Sequence, residues 1–198
     1  MQRRGLIIGA VVVFVLLIGG GTISTYNTLV TLDQEVDSQW AQVENAYQRR
    51  ADLVPNLVQT VKGAAAHERE TLEAVTEARA RVGSVTGVGA AADPQVLQRY
   101  QAAQDQLSSA LTRLVAVSEA YPQLRANENF LALQSQLEGT ENRISVERRR
   151  FNEAARDFNT RRESFPTVVF AGVLGDRFKA KAYFTAAAGA AEAPKVEF

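Results

Sequence analysis

From Phe130 onward an apolar residue returns at every seventh position: Phe130, Leu137, Ile144, Phe151, Phe158 and Phe165. A residue repeated at that spacing stays on one side of a helix, drifting by only about 20° per heptad. The residues between are mostly Glu, Arg, Gln and Asn, so the stripe is narrow and the other faces are polar. A lone helix has nowhere to bury such a stripe, and the rest of the chain must supply helices that cover it. It reads as core packing, not as a cofactor box.

The N-terminus is of another kind. Gly5, Leu6, Ile7, Ile8, Gly9, Val13, Phe14, Leu17, Ile18 and Ile23 belong to an uncharged run long enough to cross a hydrocarbon layer about 30 Å thick. Arg3 and Arg4 precede the run, and the next basic residue is Arg49. That asymmetry puts the N-terminus in the cytoplasm and the remaining chain outside. A cleaved signal peptide is the competing reading. The run exceeds the usual apolar core of about 7–15 residues, however, and Gly19-Gly20-Gly21-Thr22 offers no A-x-A cleavage site. With no cysteine in the chain, lipid modification of a thiol is excluded. Gly5 and Gly9 form one small-residue spacing, a weak pointer to helix dimers. Only Met1 to Arg4 stay on the cytoplasmic side, so a signalling role would need a partner subunit.

After the anchor, Leu29, Leu32, Val36, Trp40, Val43 and Tyr47 recur at threes and fours, the helical period. The first soluble helix is expected to run straight out of the membrane. Pro55 predicts a break, with Asp52 as N-cap of a second helix reaching Val82 on an apolar face of Val54, Leu57, Val61, Ala65, Leu72, Val75 and Val82. Gly83 to Pro94 reads as a flexible loop, with Asp93-Pro94 opening a third helix along Tyr100, Leu107, Leu111, Leu114 and Tyr121. Gln104 and Ser118 interrupt that seam, and Tyr121-Pro122 ends it. A fourth helix, from Ala126 to Glu163, would be the longest at close to 60 Å. The fold class is all-α: an antiparallel up-and-down four-helix bundle (26–166) after one N-terminal transmembrane helix (1–25), with an irregular C-terminal tail (167–198). A longer rod, in which the second helix merely bends off the first, is the alternative. The tail either straps the bundle groove or hooks a partner or the bilayer, with Phe165, Phe170, Phe184 and Phe198 as candidate contacts.

Several stretches resemble the LemA family. They are Tyr26 to Val30, the block Gln48-Arg49-Arg50-Ala51-Asp52-Leu53-Val54-Pro55-Asn56-Leu57-Val58, the run Asn127 to Gln134, and Leu137 to Ile144. Phe151-Asn152, Phe165-Pro166 and the closing Val196-Glu197-Phe198 complete the likeness. The resemblance implies a membrane-anchored protein of the bacterial envelope with an extracytoplasmic antiparallel four-helix domain. It implies no enzymatic activity, no catalytic residues and no cofactor.

Chemistry-bearing constellations are sparse. The single histidine, His67, rules out His-pair metal motifs, and it reads as a solvated helix residue. The serines lack a nucleophile-elbow context, and Gly83 to Gly89 lacks the strand and lysine of a phosphate loop. Charge is balanced, 22 basic against 22 acidic residues, so nothing points to nucleic acid. What stands out is a polar band: Arg49, Arg50, Asp52 and Asn56 near Pro55, Thr140, Glu141, Asn142 and Arg143 interrupting the richest seam, and Asn152. Gly139 beside it would let another helix backbone come close, and Asn152 and Asn159 would reach a neighbouring helix. The band is expected to fix helix register, or else to dock a partner or second protomer. Arg148-Arg149-Arg150 reads as a solvated face. The sequence thus points to a non-catalytic membrane-tethered scaffold or adaptor of the inner or plasma membrane, self-associating and binding an envelope partner. A ligand-sensing bundle acting through a separate membrane protein is the first rival, and an enzyme the second.

Overall fold

The computed structural model describes residues 2–185 apart from 66, 86, 88 and 174, and these form an all-α molecule. Its elements are α1 (Gln2–Ala64), α2 (Arg69–Ser84), α3 (Pro94–Glu119), α4 (Pro122–Arg125), α5 (Glu128–Glu163) and α6 (Thr167–Val173). A 3-10 turn (Gly175–Phe178) and an extended strap, 179–185, follow. Local chemistry sets the starts. Asp93 accepts hydrogen bonds from the Gln95 and Val96 amides with Pro94 in the first turn of α3, and Asn127 accepts from the Phe130 amide at the head of α5.

The expected break at Pro55 does not occur. Helix α1 runs through it for 63 residues, about 95 Å, and is the longest element in place of α5. The physical reason lies on α2. Proline lacks an N–H, so it deprives the Ala51 carbonyl, four residues earlier, of its helical partner. Arg79 fills that vacancy: its Nε donates to the Ala51 carbonyl at 3.1 Å. Asp52 is consequently no N-cap; it sits mid-helix and accepts from the Gln48 amide at 2.8 Å. Helix α1 ends instead at Ala64, and His67 lies exposed in the turn before α2.

Ring and charge pairs give the register of α1 on α5. Trp40 meets Phe151, Tyr47 meets Arg148 and Arg50 meets Glu141, so partner numbers fall as those of α1 rise. The core has two parts. An aromatic half gathers Trp40, Tyr47, Tyr100, Phe151, Phe158, Phe178 and Phe184. An aliphatic half gathers Leu53, Leu57, Val61, Leu72, Val75, Leu107, Leu111, Leu114 and Leu137. The heptad stripe is buried from Phe130 to Phe158, but Phe165 is 83% exposed because α5 ends two residues before it. Gly139 has no neighbour that a methyl group would meet, so no helix crosses there.

Among the described glycines, Gly87 is the one that packing requires. A Cβ on it would stand 2.7 Å from Glu44 Oε1 and 2.9 Å from Trp40 Cζ2, which is closer than atoms can sit. At the N-terminal end, Val12 to Leu16 and Ile23 are exposed, and α1 is the one described helix long and apolar enough to cross a membrane.

Candidate functional site

Between the aromatic and aliphatic halves lies a polar layer centred on Arg50, whose surface is 2% exposed. Burying a guanidinium is costly unless its charge and N–H groups are matched. Arg50 Nη1 donates to Glu141 Oε1 at 2.8 Å, and Nη2 donates to the Gln104 carbonyl at 2.9 Å and to its side-chain oxygen. Among the described residues Nε has no hydrogen bond, while the guanidinium lies 5.2 Å from the Tyr47 ring centroid. One cation therefore ties α1, α3 and α5 together.

One turn along α1, Tyr47 extends the layer. Arg148 Nε donates to the Tyr47 hydroxyl, and Arg148 Nη2 donates to Asp105 at 3.1 Å. Burial pushes the Tyr47 hydroxyl above its ordinary range, with Arg148 pulling the other way. For Arg148, burial opposes the charge, but Tyr47 and Asp105 outweigh it and the net shift is upward. Tyr100 is pushed up to about 12, by burial first and then by Glu44 and Tyr47. The half-buried Arg148 therefore departs from the solvated face expected of it, whereas Arg149 and Arg150 are exposed.

The band predicted from sequence divides. Arg50, Glu141 and Thr140 belong to the layer, Thr140 being buried with its hydroxyl donating to the Gln136 carbonyl. Arg49, Asp52, Asn56, Asn142 and Arg143 are exposed, Arg143 lying 3.7 Å from the buried Glu147 on its own helix. Asn152 serves another purpose. It clamps the strap: Nδ2 donates to the Phe184 carbonyl at 3.0 Å while Oδ1 accepts the Phe184 amide at 2.9 Å. Asn159 does the same for Lys181 at 3.0 and 2.8 Å, and Gln101 for Thr185 at 2.9 and 3.4 Å. Both asparagines thus reach the tail, not a neighbouring helix. Three side-chain amides act as a sheet edge would, giving an extended segment its backbone partners. Phe184 stacks on Trp40, Phe178 meets Tyr26 and Phe158, and Lys181 pairs with Asp33. Beside that pair, burial raises the Asp37 carboxyl, against the pull of Lys181.

Sequence reasoning passed over Gln101, took Tyr47 as a seam residue and Arg148 as solvated surface, and took Gln104 as a mere interruption. The available signal was polar amides on the apolar seam of α3. Of the other predicted positions, Gly5, Leu6, Ile7, Ile8, Gly9, Val13, Phe14, Leu17, Ile18 and Ile23 lie on the N-terminal part of α1, and Phe170 lies on α6. Phe198 lies outside the described residues.

Next to the layer, Glu44, Tyr47, Gln48, Arg79, Tyr100 and Gln104 line a cleft of about 570 Å³. It offers hydrogen bonds and charge. Within the layer itself the carboxylates of Glu141 and Asp105 are engaged by arginines. No group of three metal-ligating side chains occurs among the described residues. The arrangement can hold helices in register and grip an extended chain.

The LemA family profile matches residues 39–198, which takes in the polar layer and the strap. The chain belongs to the LemA family. Among its relatives are Magnetosome protein MamQ 2 and Magnetosome protein MamQ 1 of Paramagnetospirillum magneticum, each 27% identical over 176 residues. Magnetosome protein MamQ of Magnetospirillum gryphiswaldense is 26% identical over the same length. Each alignment covers 80% of this LemA chain and 64% of the relative, so the chain spans just under two thirds of the curated relatives it matches.

Proposed function

We propose that this LemA-family chain is a membrane-tethered scaffold of the bacterial envelope. One apolar span holds it in the inner or plasma membrane, with Met1 to Arg4 cytoplasmic and the bulk of the chain extracytoplasmic. The soluble part works as an antiparallel up-and-down four-helix bundle that self-associates and docks an envelope partner, without catalysis. The observation that carries this reading is α1: one helix supplies both the apolar run and the bundle's central stave. The relatives support it in being named for a cellular structure, the magnetosome, and not for a reaction. Tethering raises the effective concentration of weak partners, so modest contacts along exposed helix faces suffice.

The test is the mass of the full chain in a mild membrane mimetic beside a version starting at Tyr26. A defined oligomer for the first and a monomer for the second is the expected result, with assembly running through the anchor. Two monomers would remove self-association from the account. The cleft beside Tyr100 favours a second reading, a ligand-sensing bundle that signals through a separate membrane partner. That reading predicts a small polar ligand that raises the thermal midpoint, and whose effect Arg79→Ala abolishes.

A further inference from the structure

The end of the bundle nearest the apolar run carries a second apolar surface. Helix α6 reads Thr-Val-Val-Phe-Ala-Gly-Val, without a charged residue. Its polar residue, Thr167, is fully buried, and Ala171, one turn on, is buried with it. Those two fasten its inner face. On the outside stand Val168, 45% exposed, Val169, 55% exposed, and next to them Phe165 at 83%. A helix on a water-covered surface carries polar residues on its outer face, and this one presents valine.

Its height follows from the register. Lys181 bridges to Asp33 while lying over the Phe158 ring, which sets residue 33 of α1 level with 158 of α5. Trp40 on Phe151 keeps the same offset. The same offset sets Glu163, the last residue of α5, level with Thr28, and Phe165 follows two residues later; Tyr26, half a turn nearer the apolar run, has its ring against Phe178 just after α6. Tyr26 is three residues, about 4.5 Å, beyond Ile23, the last residue of the apolar run. Headgroup layers extend roughly 5–8 Å past each side of the hydrocarbon. The exposed valines and Phe165 thus fall at the depth where a short apolar surface meets acyl chains and headgroups.

We infer that Phe165, Val168 and Val169 form a membrane-docking collar, which seats the base of the bundle in the lipid interface. This rests on the membrane-anchor reading above. With the collar in place the bundle has two attachments, so α1 cannot swing freely about its exit point. The occupant is a phospholipid surface: continuity with the apolar run selects it, and the patch requires neither sequence nor charge from its partner.

The absence of cysteine makes the test clean. Single spin labels are placed through Val13→Cys, Val169→Cys and Leu131→Cys in the full chain, reconstituted in phosphatidylethanolamine–phosphatidylglycerol vesicles. Leu131 is half exposed and lies about 50 Å along α5 from Phe165. Collision with oxygen, which enriches in lipid, is compared with collision with a water-soluble nickel chelate. The inference expects an oxygen-to-nickel ratio at 169 several-fold above that at 131 and approaching that at 13. A lipid-like 13 with a water-like 169 overturns the collar and leaves the anchor standing. A water-like 13 removes the anchor, and the collar falls with it. A label at 169 shielded from both reagents and broadened by a second label assigns the patch to another copy of the chain. A lipid-like 131 lays the whole bundle on the membrane, which also refutes a local collar.

Discussion

Arg49 and Arg50 are neighbours in sequence, yet one is exposed and the other nearly sealed. A helix rotates by about 100° per residue, so a single step separates a solvated charge from a buried one. Arg50→Ala removes the hydrogen bonds to Glu141 and Gln104 and strands the part-buried Glu141 carboxylate, and is expected to cost about 3 kcal/mol, against less than about 0.5 kcal/mol for exposed Arg143→Ala. Denaturant midpoints of the two variants check this. Tyr100 supplies a pH prediction. Its folded pKa, about 12, lies above the ordinary 10.0 of an unfolded tyrosine. Its contribution is complete below pH 10 and fades as pH rises through 12, because the unfolded chain releases the proton first. Tyr100→Phe should flatten the loss of stability between pH 10 and 12, read by thermal unfolding across that range. At this scale the sequence showed that residues near 50 and 141 were unusual. It did not reveal which of them faced inward, since Arg49 and Arg50 are chemically identical and only the partners on α3 and α5 distinguish them.

Elements were more legible, with two instructive exceptions. The heptad stripe as far as Phe158, the seam of α3 and the Asp93 cap are local patterns, and they appear where the sequence places them, whereas Asp52 caps nothing. Pro55 misled because its cost was judged along α1 alone, whereas the compensation comes from Arg79 on α2. That explanation is testable. Arg79→Ala should cost about 1 kcal/mol in the parent chain and much less alongside Pro55→Ala, because a backbone N–H at 55 then reaches the Ala51 carbonyl. A double-mutant cycle of unfolding free energies measures the coupling. Gly87→Ala should destabilise by roughly 1–3 kcal/mol through contact with Glu44 and Trp40, in a loop where composition alone suggests tolerance. The strap was the other exception. Residues 179–185 have no period because their backbone is held mostly by the side chains of Asn152, Asn159 and Gln101, with, among the described residues, a single backbone bond from the Ala182 amide to the Ala91 carbonyl and no ladder. Asn152→Ala leaves the Phe184 amide and carbonyl without partners, at about 2 kcal/mol. Hydrogen exchange at the Phe184 amide should accelerate accordingly while that of the α5 core stays slow.

For the molecule as a whole, the principal consequence is mechanical. An unbroken α1 about 95 Å long offers no flexible joint between the apolar run and the packed core, so the orientation of one constrains the other. The polar layer fixes how α1, α3 and α5 register, and the strap adds a cover drawn from the far end of the chain. The N-terminal apolar run and the all-α character were plain in the sequence, since both depend on composition and period. The bond between tail and bundle was not, because it joins residues such as Gln101 and Thr185 that no local pattern connects. The account stands on the disposition of the chain across a membrane, and one measurement reaches it most directly. Single cysteines at Gln2 and at exposed Ala132, in an otherwise cysteine-free protein, are treated in intact cells with a membrane-impermeant thiol reagent. The account predicts that Ala132→Cys is modified at once and Gln2→Cys only after the membrane is opened. Protection of Ala132→Cys in intact cells, with modification only on lysis, would contradict it.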